Sequence, residues 1–217
     1  MKSEVQTILS NLCTHHPELL ACMGDIQSAF DIMKECYANN GKVLVCGNGG
    51  SAADSEHIVG ELMKGFLLKR RINEQDVRKI REAYPEDWEY LSEHLQGALP
   101  AISLVSQSAI SSAFINDVAA DMAFAQQVYG YIRPGDVLIG LSTSGNAKNV
   151  LNALKVAHSM GGRTIGLTGE AGGRMKDLCD VAIQAPANET YRVQEYHLPI
   201  YHALCAMIEA EFFALVE

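Results

Sequence analysis

The sequence predicts a three-layer α/β fold: a doubly wound, five-stranded parallel sheet with a helical hairpin inserted into it. Three observations carry that expectation. Short β-branched runs recur along the chain, each followed by a Gly- or Ser-rich turn and then a helical pattern. The runs are mostly apolar on both faces, as strands covered by helices on each side must be. One long stretch, residues 66–99, breaks the rhythm with charged, helical periodicity.

Residues 1–40 read as N-terminal helices, the clearest at 25–38. The run 42–46 is the first strand, and 52–63 is the helix that follows its turn. Inside the break, 73–83 is helical until Tyr84-Pro85 stops it, because proline fixes its own φ and disfavours helix at the residue before it. Residues 86–96 make a second helix carrying the only tryptophan, Trp88. The run 101–105 is the second strand, followed by a helix at 122–129, a strand at 136–141 and a helix at 147–159. Strands at 163–168 and 181–184 and a long helix at 195–213 complete the chain. Residues 1–217 thus read as one domain with an insert at about 66–98. Flavodoxin- or Rossmann-like sheets of this kind bind ligands beyond the carboxyl ends of their strands, where both Gly/Ser turns fall.

Composition narrows the function. The chain has 217 residues, 48% hydrophobic and 20% charged, which suits a globular domain with a buried core. A net charge of −9 opposes long-range attraction to nucleic acid or an anionic membrane, so neither is expected as a partner. The short cluster Lys69-Arg70-Arg71 is expected to be a solvated face. Six cysteines without C-x-x-C spacing predict buried, reduced thiols rather than a disulfide scaffold or a zinc ribbon. There is no apolar signal core at the N-terminus and no apolar run near the ~20 residues that span a bilayer. A soluble, cytoplasmic protein is expected.

Two turns carry chemistry. In Cys46-Gly47-Asn48-Gly49-Gly50-Ser51, glycines let the backbone approach a ligand, and free amides at the helix start favour an anion. Such turns also serve merely to reverse the chain. In Ser142-Thr143-Ser144-Gly145-Asn146, three hydroxyls and a run of backbone amides at a helix N-terminus make a phosphate cradle. Ordinary N-capping needs only one hydroxyl. No Walker lysine follows, which argues against a nucleoside triphosphatase. His57 and Glu61, four apart, share a helix face; they suit two ligands of one divalent ion, an imidazole orienting a carboxylate base, or a plain surface pair. Gln194 and His202 lie about 80° apart around a straight helix and ~12 Å along it, so meeting one metal requires a kink at Pro199 or contributions from two subunits. His197 is expected to be a packing residue.

On these residues the chain resembles a sugar isomerase (SIS) domain of the phosphoheptose isomerase family. The resemblance is carried by 46–51, His57-x-x-x-Glu61, Asn116-Asp117, 142–146, Leu167-Thr168-Gly169, and Gln194-Glu195 with His202. It implies isomerisation of sedoheptulose 7-phosphate to D-glycero-D-manno-heptose 7-phosphate by a homotetramer with active sites between subunits. It implies substrate contacts from Asn48, Gly49, Gly50, Ser51, Asn116, Asp117 and Gln194, and phosphate binding by Ser142, Thr143 and Ser144. Zinc would lie among His57, Glu61, Gln194 and His202, with Glu61 and His202 as the catalytic proton-transfer pair. Three positions depart from the family pattern: Ala147 replaces a frequent phosphate-binding serine, Tyr191 a usual aspartate, and Gly65 a frequent arginine. The alternatives are a non-catalytic SIS module binding a sugar phosphate or a protein, and an isomerase of another sugar phosphate. SIS relatives of the module kind tend to lack the glutamate and the C-terminal histidine, both present here.

Overall fold

The computed structural model describes residues 2–214. Helix α1 (Ser3–His15) and a 3₁₀ turn lead into α2 (Met23–Ala38), then β1 (Val43–Cys46) and α3 (Gly50–Met63). Two short helices follow, α4 (Glu74–Ala83) and α5 (Trp88–His94), before β2 (Ala101–Ser103) and α6 (Ser108–Asp117). Then come α7 (Ala123–Tyr131), β3 (Val137–Leu141), α8 (Lys148–Ser159), β4 (Arg163–Gly169), β5 (Val181–Ala185) and α9 (Thr190–Phe213).

The five strands form one parallel sheet in the order β2-β1-β3-β4-β5, as the alternation of strands and helices predicts. Strand side chains alternate between faces, and each face is closed by helices. Val43, Val45, Ile139 and Leu141 join a core under α1, α2, α3 and α9. Leu44, Cys46 and Leu138 point the other way, into a second core against α7 and α8. The chain crosses from β1 to β2 on one side and reaches β3 on the other, so the switch point lies between β1 and β3. The two Gly/Ser turns leave the carboxyl ends of those two strands.

The insert is a pair of helices with no buried residue in either. Asn73 caps α4 by accepting the Asp76 amide, and the Arg81 guanidinium sits 4.8 Å over the Trp88 ring. An antiparallel bridge between Arg71 and Gln96 closes the base of the hairpin. The same base explains why residue 65 is glycine. A side chain there would begin 2.6 Å from the Leu68 carbonyl oxygen and 3.2 Å from Gln96 Oε1, and Gln96 Oε1 already accepts the Gly65 amide.

The expectation of a solvated Lys69-Arg70-Arg71 fails at its middle residue. Arg70 is 2% exposed and pairs with Glu209, itself 1% exposed, at 2.7 Å. The Glu209 carboxylate also accepts the amides of Phe66, Leu67 and Leu68, which offsets the cost of burying the charge. Nothing within the basic triplet signals a partner 139 positions away. Helix α6 was not foreseen; serines interrupt its apolar residues and no side chain caps its start. Helix α9 begins five residues earlier than expected and runs through Pro199. All six cysteines are free, five of them buried, and burial pushes the Cys46 and Cys205 thiols up to about 12. Among the described residues no helix is long and apolar enough to cross a membrane.

Candidate active site

At the switch point the two turns are bonded to each other. Asn48, in the first, exchanges two side-chain hydrogen bonds of 3.0 and 2.9 Å with Asn149, in the first turn of α8. Asn149 escaped the sequence reading because an asparagine inside a helix carries no local signal. Gly49 and Gly50 open α3, whereas Ser51 is 3% exposed with its carbonyl taken by the Ser55 hydroxyl.

The second turn is held by short-range bonds. The Ser142 hydroxyl accepts the Ala147 amide and the Ser144 hydroxyl accepts the Asn146 amide. Both act as acceptors here, so each O–H remains free to donate to a phosphate oxygen. Gly145 has φ +64°, and a Cβ on it would lie 2.0 Å from the Gly172 carbonyl oxygen. Asn146 accepts the Arg174 amide, and Gly169 donates to the Thr143 carbonyl, so the loop after β4 braces the turn.

The chemical groups converge where α3 packs on α9. His57 Nε2 lies 3.3 Å from Glu61 Oε1 and 3.4 Å from His202 Nε2. Behind His57 stands Tyr201, whose hydroxyl is 3.0 Å from His57 Nδ1 and 3.3 Å from Asp54 Oδ1. Burial first, and Asp54 beside it, raise the tyrosine pKa well above its usual range, so its proton stays and is donated to the carboxylate. In the tautomer that carries its proton on Nδ1, His57 donates to the Tyr201 oxygen and its Nε2 lone pair faces Glu61 and His202. Burial, then His57, lowers the pKa of His202, while Glu61 opposes the shift; the imidazole is neutral near pH 7. Tyr201 and Asp54 were not singled out from sequence. Asp54 lies three residues before His57 on α3, and Tyr201 adjoins His202.

Not every expected residue joins this cluster. Gln194 packs over the start of α3, its Nε2 2.5 Å from where a Gly50 Cβ would stand, and it is absent from the hydrogen bonds around His57. Asn116 and Asp117 end the exposed helix α6 and bond to each other at 2.8 Å. A cavity of about 990 Å³ lies at the base of the insert among Lys69, Arg71, Gln96, Pro100 and Phe212. None of its lining residues belongs to either turn or to the His57 cluster. His197 is wholly buried, reaches the Thr168 carbonyl at 3.3 Å, and has its pKa lowered to about 4 by burial, as a packing residue should.

Zinc can be tested against this geometry. Tetrahedral zinc with bonds of about 2.0–2.1 Å needs ligand–ligand edges of about 3.3–3.4 Å. The His57–Glu61 and His57–His202 separations of 3.3 and 3.4 Å match two such edges. The third edge is not closed: among the described residues no group of three His, Cys, Asp or Glu is arranged to hold a metal, and Glu61 Oε2 is drawn to Lys64 at 3.3 Å. Two edges therefore match the ion, while among the described residues the full donor set is not assembled around one point.

Comparison with known proteins agrees with the architecture. Two SIS domain models match, over residues 18–91 and 111–212. A phosphoheptose isomerase from Nitratiruptor is 42% identical over 187 residues, 86% of each chain. The solved phosphoheptose isomerase of Francisella tularensis superposes with a TM-score of 0.73 at 28% identity, covering 96% of this chain and 98% of that one. That of Neisseria gonorrhoeae gives 0.68 at 31% identity, covering 92% and 98%. The chain belongs to the phosphoheptose isomerase family of SIS-domain proteins.

Proposed function

We propose that this chain is the sugar-phosphate aldose–ketose isomerase that interconverts sedoheptulose 7-phosphate and D-glycero-D-manno-heptose 7-phosphate. The observation that carries the reading is the meeting of Glu61 and His202 around His57, from helices 140 residues apart in sequence, beside an anion-binding switch point. A module that only binds sugar phosphate has no need of a carboxylate and a neutral imidazole aimed at one point.

The Ser142, Thr143 and Ser144 hydroxyls, with the amides of their turn, hold the phosphate. Anchoring so far from the reacting carbons fixes orientation, which lowers the entropic part of the barrier. Asn48, Gly49 and Gly50 face the sugar, with Asn116, Asp117 and Gln194 as further contacts. Glu61 takes the proton from C1 of the ketose and delivers it to C2, through an enediol(ate). His202, neutral and held against His57, moves the proton between the two oxygens. His57, Glu61 and His202 would hold zinc, with Gln194 contributed from a neighbouring subunit; when bound, the ion would supply a Lewis acid for the carbonyl.

We further propose a cytoplasmic homotetramer with sites shared between subunits. Exposed Ile110, Ile115 and Val118 beside Asn116-Asp117 support a neighbouring chain that covers α6. Pentose, hexose and heptose phosphates assayed with and without zinc test the function. Turnover of sedoheptulose 7-phosphate above the others is expected; binding without turnover of any of them would select the non-catalytic module.

A further inference from the structure

We infer that the buried Arg70–Glu209 pair positions the two catalytic groups against each other, which makes Arg70 a positioning residue for turnover. The inference rests on the assignment of Glu61 and His202 above. The Arg70 guanidinium is spent on three partners: Nε on Glu209 Oε1 at 2.7 Å, Nη1 on the Leu62 carbonyl at 2.6 Å, and Nη2 on the Glu61 carbonyl at 2.9 Å. Those carbonyls belong to the last turn of α3, where helix geometry leaves acceptors without backbone donors. Any exposed cation could cap them. Here the cap is buried and grips the backbone of the proposed base itself.

The other half of the pair addresses the proton shuttle. Glu209 lies seven residues after His202 on α9, two turns along a similar face. By accepting the Phe66, Leu67 and Leu68 amides it fixes the segment leaving α3, and the Phe66 ring rests 5.5 Å from the His202 ring. One ion pair thus ties the backbone of Glu61 to the helix that carries His202, and holds an aromatic wall against the imidazole. Arg70 is too buried to reach substrate, so it does not replace the arginine missing at Gly65.

The test is steady-state kinetics of Arg70→Lys and Glu209→Gln on sedoheptulose 7-phosphate, with melting followed by circular dichroism. Lysine keeps the charge but loses the planar fork that reaches both carbonyls. The expected result is a folded protein whose kcat falls roughly 10- to 100-fold while KM changes less than about threefold, since displaced catalytic groups cost turnover more than binding. A folded variant with kcat within about twofold of the parent overturns the inference. So does loss of folding in both variants, which would make the pair an ordinary structural clamp. Glu61→Gln run alongside separates the two readings. If it stays active, the base assignment fails; if it is dead while Arg70→Lys is fully active, only the positioning role fails.

Discussion

The two halves of the site are built by different means. The phosphate turn is local: Ser142 bonds to Ala147, Ser144 to Asn146, and one glycine fits under the next loop. The proton-handling half has little local support, since its three central side chains come from two helices and are propped by Asp54 and Tyr201. A turn of the first kind can be read in six consecutive letters. A cluster of the second kind exists only once α3 and α9 have docked, so it is sensitive to residues that never touch substrate.

Substitutions can break or sharpen this contrast. The largest effect is expected for Glu61→Gln, a loss of at least about 10³-fold in kcat with sugar-phosphate affinity by calorimetry nearly unchanged. Parental turnover in that variant would dissolve the chemical half altogether. Next is Gly145→Ala, which forces a side chain into a backbone carbonyl at positive φ. It should cost about 2–4 kcal/mol in urea unfolding and raise KM, because the turn that must shift is the one that cradles the phosphate. Unchanged stability would show that the loop after β4 yields freely.

Tyr201→Phe leaves shape intact but removes the oxygen that His57 leans on. Zinc affinity, measured by competition with a chelator, should weaken about 10- to 100-fold, while inorganic phosphate binding to the turn stays as it was. The smallest effect concerns His197. Its folded pKa of about 4 lies below the unfolded value, so the unfolded chain takes up the proton first. Its neutral form stabilises the fold fully above the unfolded pKa, and that contribution is lost as pH falls from about 6.5 toward 4, by about 1.4 kcal/mol at about pH 5.5. His197→Gln should flatten that slope in pH-dependent melts; an unaltered slope would assign it to other groups.

The legibility of the molecule follows the same division. Strands buried on both faces announce themselves, and every expected strand was found, with the second ending two residues early at Ser103. Helix α6 was silent because its apolar residues are interrupted by serines and no capping side chain marks its start. The His57–Glu61 spacing suggested chemistry, yet only the fold shows His202 brought to it, and Tyr201 looked like any aromatic in an apolar helix. Arg70 was misread for a related reason: charge in a basic run looks solvated until its counter-charge is located in space. Gln194 was paired with His202 on one helix, and within one chain the helix rise sets it beside Gly50 at the start of α3, so sharing an ion with His202 calls for the two-subunit arrangement.

Glu209 has one more implication, for how the protein is made. A ribosome releases Arg70 long before residue 209, and until then the guanidinium has no carboxylate to enter the interior with. The nascent chain can pair its early strands, but the backbone around Glu61 has to wait for nearly the last helical turn. On the positioning role proposed for Arg70, the backbone that holds Glu61 is set only after the chain has been made through Glu209.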